Sequence, residues 1–140
     1  MRVLIALFLI LISTVGLAND FRDVEALLNQ TRIAHGQRTV RASADLMRTA
    51  QAHADDMAAH KYFSHTSRNG MKYSERIERS GLAACFRSEN IARGVYDGSQ
   101  VMKMWIKSPT HQVNNISPKS THYGVGMADG YWVLIVAEMC

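Results

Sequence analysis

Two of the six histidines in this 140-residue chain, His65 and His111, stand among hydroxyl and amide side chains, in Phe63-Ser64-His65-Thr66-Ser67 and Ser108-Pro109-Thr110-His111. A neutral imidazole is both a common metal ligand and a common general base near pH 7. Polar segments that follow a helix are also where a rigid scaffold presents such groups. The other four histidines have plainer uses. His35 suits a helix C-terminus, where a cation or donor meets the dipole. His53 and His60 share one helix face but sit roughly 10 Å apart along its axis, too far to share an ion. His53 reads as a hydrogen-bonded, partly buried side chain beside an alanine stripe, and His122 as a solvent-side strand residue.

Spacing alone does not complete a site. The chain has no H-E-x-x-H, no C-x-x-C, no G-x-x-x-x-G-K-[ST], no G-x-G-x-x-G and no G-x-S-x-G, which removes the commonest zinc, phosphate, dinucleotide and serine-esterase signatures. Read from the residues alone, the chain is a small exported α/β domain with a polar His/Glu cleft.

The elements that must position these residues follow from periodicity. Phe21, Val24, Leu27 and Leu28 recur at helical spacing, with Asn19 or Asp20 to cap the start and Gly36 to end the helix. A second helix is predicted from Ser43 to His60, with Leu46, Ala50, Ala54 and Met57 on one stripe. A short one runs from Tyr73 to Ser80 and is closed by Gly81. Another runs from Ser99 to Lys107 and is stopped by Ser108-Pro109. The stretch Ala84 to Arg93 reads as irregular or short strand, and Ser108 to Ser120 as a polar loop. Thr121–Met127 and Tyr131–Met139 flank Ala128-Asp129-Gly130 as a β-hairpin. In its second arm, Trp132 to Ala137 is apolar at every position, so both faces are buried and helices must cover the sheet on each side. The fold class is therefore α/β, a three-layer α/β/α sandwich.

Residues 1–18 read as a secretory signal: Arg2, an apolar run from Val3 to Ile12, then Gly16 and Ala18 at the cleavage positions. An uncleaved anchor would need roughly 20 apolar residues, and Ser13, Thr14 and Gly16 interrupt this run. Cleavage after Ala18 leaves one domain, 19–140, with a net charge of +3 rather than +4 once Arg2 is lost. Its basic residues are scattered, and Arg38, Arg41 and Arg48 form no stripe of the kind that binds nucleic acid. The expectation is a secreted or periplasmic monomer with no membrane span after cleavage. In that oxidising setting the pair Cys85 and Cys140 points to one disulfide rather than two unrelated thiols. Such a link is worth about 4 kcal/mol by loop entropy. Asn29 and Asn115 begin Asn-x-Ser/Thr triplets, of which Asn29, on a helix, reads as structural.

Leu28-Asn29-Gln30-Thr31-Arg32, Phe63 to Ser67, Ser88-Glu89-Asn90-Ile91-Ala92, Trp105 to His111 with Asn114, and Gly124-Val125-Gly126 before Tyr131-Trp132 follow one another along the chain. In that order the five segments resemble the CAP superfamily (cysteine-rich secretory proteins, antigen 5, pathogenesis-related 1; also called SCP), in its short bacterial branch. The resemblance implies an α/β/α sandwich with an open cleft of two histidines and two glutamates, the histidines able to hold a divalent metal such as zinc. His65, Glu89 and His111 match three of the four. Ser108 stands where many members carry the second glutamate, so a zinc site here would be open and weak. Glu89 could equally orient a histidine from behind.

The implied ligand cleft is His65, Glu89, His111, Ser108 and Asn114, with His65 and His111 as metal ligands and no catalytic residue assigned. The leading reading is a binding module for an unknown small ligand, lipid, glycan or peptide. One alternative is a metal- or serine-dependent hydrolase in the same cleft, using a serine such as Ser64 or Ser67. The other is an interaction protein acting through its outer surface.

Overall fold

The computed structural model describes residues 2–140, with side chains described from Val15 onward, so the expected signal at 1–18 lies for the most part outside the described side chains. In chain order the elements are α1 (Arg2–Ala34), β1 (Arg41–Ala42), α2 (Ala44–His60), α3 (Tyr73–Arg79), β2 (Ala84–Arg93), α4 (Gly98–Lys107), α5 (Pro109–Asn115), β3 (His122–Ala128) and β4 (Tyr131–Met139). The strands form one sheet in the order β1-β3-β4-β2, parallel only between β1 and β3.

β4 explains the layering. It lies between β3 and β2, and its alternate side chains enter two separate cores. Trp132, Leu134 and Val136 pack with Val24 and Leu28 of α1 and with Val101, Met102 and Trp105 of α4. Val133, Ile135 and Ala137 pack with Leu46, Ala50 and Met57 of α2 and with Ile77 of α3. The unbroken apolar run is thus the middle layer of an α/β/α sandwich. Asp129 and Gly130, at φ 46° and 75°, make the tight turn that joins β3 to β4.

α2 starts where expected, with the Ser43 hydroxyl accepting from Leu46 N at 3.3 Å. Its buried stripe is the predicted one with His53 added. Gly124 and Gly126 of β3 lie directly against the α2 backbone at Leu46–Met47 and Ala50–Gln51, where any Cβ would collide. Small residues on both sides set this close approach.

Three expectations need correction, and one element was not foreseen. Asn19 and Asp20 do not cap a helix, because α1 runs through them with no proline to break it; Asp20 Oδ1 instead accepts from Gly98 N, 3.0 Å away, at the start of α4. Ala84–Arg93 is neither irregular nor short but a ten-residue strand paired with β4. Its polar centre hid it, since Ser88, Glu89 and Asn90 are buried rather than solvated. Ser108–Ser120 is not all loop, because Pro109, which stops α4, also occupies the first turn of α5. The two-residue β1 lacked any pattern to reveal it.

The disulfide joins Cys85 to Cys140 and ties the end of β4 to the start of β2. Neither Asn-x-Ser/Thr asparagine is free. The Asn29 amide holds both the N–H and the carbonyl of Val40, at 2.8 and 3.1 Å, and Asn115 is fully buried. Arg32, also fully buried, donates to the carbonyls of Asn115 and Ser117 at 2.8 and 3.0 Å and so pins the end of α5 to α1.

Candidate functional site

The sandwich opens along the free edge of β2. A cavity of about 610 Å³ lies there, walled by Phe63, Ile91, Met104 and Trp105 and carrying Ser64, His65, Arg93, Ser108 and His111 as its polar residues. It therefore brings His65, His111 and Ser108 to one surface. Glu89 and Asn114 belong to the same cluster but stand behind that surface and do not line it.

His65 lies on the loop after α2, which turns sharply at Lys61, φ 56°. The loop is held from below by His53, whose Nε2 donates to the Ser64 carbonyl at 2.8 Å. A carbonyl can only accept, so the proton of the neutral ring sits on Nε2. Burial keeps that ring neutral by lowering its pKa, and the positive charge of Arg76 adds to the effect.

The His65 ring faces a carboxylate, with Nδ1 2.9 Å from Glu89 Oε1. The Glu89 side chain is fully buried, and a buried charge needs a partner. Arg76 supplies it, with Nη2 2.6 Å from Glu89 Oε2. Through Nη1 the same guanidinium donates to the His65 carbonyl at 2.9 Å and to Ser67 Oγ at 3.0 Å. Arg76 therefore fixes both the carboxylate and the backbone of the residue that carboxylate orients. Glu89 Oε1 accepts from Nδ1–H, a bond that selects the tautomer whose Nε2 carries the lone pair.

His111 is arranged differently. Its Nδ1 is 2.8 Å from Ser108 Oγ, one helical turn earlier, at the residue where the family resemblance called for a second glutamate. That hydroxyl is not used to cap α5. Burial holds the His111 pKa below its ordinary value, and a proton on the nearby His65 ring lowers it further. α5 is fastened to β2 through amides. Asn90 Nδ2 donates to the His111 carbonyl at 3.1 Å and to Asn115 Oδ1 at 2.9 Å, and Asn90 Oδ1 accepts from Asn114 Nδ2 at 2.8 Å.

The donors that could hold a divalent metal are the two Nε2 atoms, each on a ring whose Nδ1 is committed elsewhere. Among the described residues no group of three or more His, Cys, Asp or Glu side chains could hold a metal ion, and Glu89 is spent on His65 and Arg76. A metal held by these two imidazoles alone would leave its remaining positions to water or ligand.

Sequence reasoning missed Arg76, Asn90 and Arg93 as site residues. Arg76 stands among Glu75, Glu78 and Arg79 on a short charged helix and nothing in its spacing marks it. Asn90 adjoins Glu89 and could have been found only by asking why an amide stands inside a strand. Arg93, whose guanidinium lies 5.3 Å above the Phe63 ring, ends the same strand.

Among the described residues no helix is long and apolar enough to cross a membrane. The chain is 30% identical over 108 residues to the protein YkwD of Bacillus subtilis (strain 168), and 29% identical over 111 residues to the membrane protein YlbC of the same organism. These alignments take in 77% and 79% of this chain but only 42% and 32% of those proteins, so the chain spans less than half the length of either relative. Its structure is similar to that of an extracellular SCP-domain protein of Bacillus anthracis, with TM-score 0.83 and 25% identity, over 86% of this chain and 41% of that one. It also shares its fold with an outer surface protein of Borrelia burgdorferi, with TM-score 0.79 and 17% identity, over 87% and 94% of the two chains. With the cysteine-rich secretory protein family pattern matching residues 25–135, the chain belongs to the CAP family.

Proposed function

We propose that this is an exported CAP-domain binding module, cleaved after Ala18, whose cavity at the β2 edge takes a small ligand and, through His65 and His111, weakly holds a divalent metal such as zinc. The observation that carries the reading is the pairing of two cavity-lining imidazoles whose Nδ1 atoms are committed, one to Glu89 and the other to Ser108. In this reading each ring offers its Nε2 to the metal. The extracellular and outer-surface relatives support export. Isothermal titration with zinc tests the metal: wild type binds, and His65→Ala and His111→Ala each lose the binding. Equal heats from wild type and both variants would sink the reading. Mass spectrometry of the exported protein tests the cleavage, with Asn19 expected as the first residue.

A second reading rests on the Ser108–His111 hydrogen bond, which is the distance a serine nucleophile needs from its base. The partner would be Ser108 rather than Ser64 or Ser67. The two readings demand opposite protons. A metal on His111 Nε2 requires Nδ1–H donating to Ser108, whereas a base requires Ser108 donating to Nδ1. Labelling by a fluorophosphonate that disappears in Ser108→Ala would favour hydrolysis, and an unlabelled wild type would exclude it.

A further inference from the structure

The direction of the β2 backbone at the cavity names a ligand class. The two-residue turn makes Ala128 and Tyr131 the closing hydrogen-bonded pair of the β3–β4 hairpin, so the N–H and C=O of Tyr131, Val133, Ile135 and Ala137 face β3. The bond from Thr121 N to the Ala137 carbonyl agrees. Trp132, Leu134 and Val136 then face β2 and pair with Ala92, Asn90 and Ser88. By alternation the main-chain groups of Glu89, Ile91 and Arg93 point away from the sheet.

Two of these outward carbonyls are met by side chains. Trp105 Nε1 donates to Ile91 O at 3.3 Å, and Asn114 Nδ2 approaches Glu89 O at 3.5 Å. Arg93 differs, because its outward N–H and C=O have no partner among the described residues. It is exposed and lines the cavity. An unpaired sheet edge is a template for another strand. Here it lies between two walls, Phe63 and His65 on the α2 side and Met104 and His111 on the other. The ionisable groups lining the cavity are Arg93, His65 and His111, with no carboxylate among them.

We propose that the cavity binds an extended peptide bearing a carboxylate, which adds as a short strand to the free edge of β2 at Arg93. The proposal rests on the reading of this cavity as the ligand site and deepens it by choosing peptide over lipid and glycan. A peptide N–H donates to Arg93 O, and a peptide C=O accepts from Arg93 N–H. Alternate side chains meet the apolar rim at Phe63 and Met104, and the carboxylate meets the Arg93 guanidinium. Because Trp105 and Asn114 occupy the edge further back, the ladder is short and side-chain fit must carry much of the selectivity.

The test uses the exported protein and a library of N-acetyl hexapeptides with a free C-terminal carboxylate, read by fluorescence polarisation. For the tightest peptide, N-methylation at one or two backbone amides is expected to weaken binding about tenfold or more, with little effect at the remaining amides. Hydrogen exchange at the Arg93 amide is expected to slow on binding. Conversion of the peptide carboxylate to an amide is expected to weaken binding, and Arg93→Gln should shrink that difference while leaving the N-methyl effect. No peptide binding, binding indifferent to N-methylation, or occupation of the cavity only by a fatty acid or an oligosaccharide from a parallel panel would each overturn the proposal. Zinc titration run alongside separates the two readings: zinc binding without peptide binding ends this proposal alone, and loss of both ends the reading of the cleft itself.

Discussion

The two histidine arms of the cavity are held by opposite means. His65 depends on groups far apart in sequence, a loop, an arginine on α3 and a carboxylate on β2, joined by a buried ion pair. His111 depends on a neutral hydroxyl one turn earlier in its own helix, and that helix is fastened by neutral amides. A carboxylate with no water around it cannot lose its cation cheaply, so the first arm is rigid while intact and fails badly when broken. The second arm meets β2 through neutral groups alone, and the buried guanidinium of Arg32 holds the far end of its helix from α1, so damage at Ser108 or Asn90 loosens the ring without stranding an ion. One cavity thus pairs a histidine fixed by charge with a histidine fixed by neutral hydrogen bonds.

The largest effect is expected from breaking the charged arm. Arg76→Met leaves Glu89 buried without its cation and should cost about 3–5 kcal/mol, measured by urea unfolding. Adding Glu89→Gln to that variant should recover part of the loss. A cost under about 1 kcal/mol would mean that the pair behaves like a surface bridge and that the contrast between the arms is false. Next comes the amide arm. Asn90→Ala orphans groups of His111, Asn114 and Asn115 and should cost about 1–3 kcal/mol. The His111 ring resonances should shift while those of His65 stay in place; movement of both rings alike would show that the arms are not independent.

Much of the frame behind this contrast was legible in the residues. Trp132 to Ala137 could be placed as a doubly covered strand because every side chain is apolar, and no other element satisfies that pattern. Ser43 and the Leu46–Met57 stripe gave α2 within one residue. Both arms were hidden for physical reasons. Glu89 and Asn90 stand inside β2 as buried polar groups, so the strand showed no alternation, and their own pairing partners, Ile135 and Leu134, sit more than forty residues away. Pro109 reads as a stop, and only three dimensions reveal that it also starts α5 and so puts His111 on a helix rather than a loop. The link between His65 and Glu89 came from family resemblance alone, since no local spacing joins residues 24 apart. Arg76 had no signal of either kind.

Ser108→Ala probes the weaker arm at its centre. Stability should change by less than about 1 kcal/mol, because the hydroxyl is partly exposed and caps nothing. Zinc affinity should fall about tenfold or more, the usual consequence of removing a group that orients a ligating histidine. A large stability loss with unchanged zinc binding would recast Ser108 as structural.

The smallest effect concerns protonation and bears on the same asymmetry. The His111 pKa lies below its ordinary 6.5 because of burial first and a proton on the neighbouring His65 ring second. His53 beneath the other arm is lowered by burial and by Arg76. For both rings the folded value is below the unfolded one. As pH falls through about 6.5 the unfolded chain therefore takes up protons that the folded chain refuses, and stability rises with pH across that window. The contribution is present above the unfolded value and is lost as pH falls towards the folded one. Unfolding measured at pH 5 and pH 7 should show the lower stability at pH 5. A ring titration by NMR should place the His111 midpoint below 6.5. In Ser108→Ala, which leaves burial and His65 in place, the midpoint should stay low. A midpoint restored to the ordinary value by that change would mean that the serine hydroxyl, rather than burial, keeps the ring neutral.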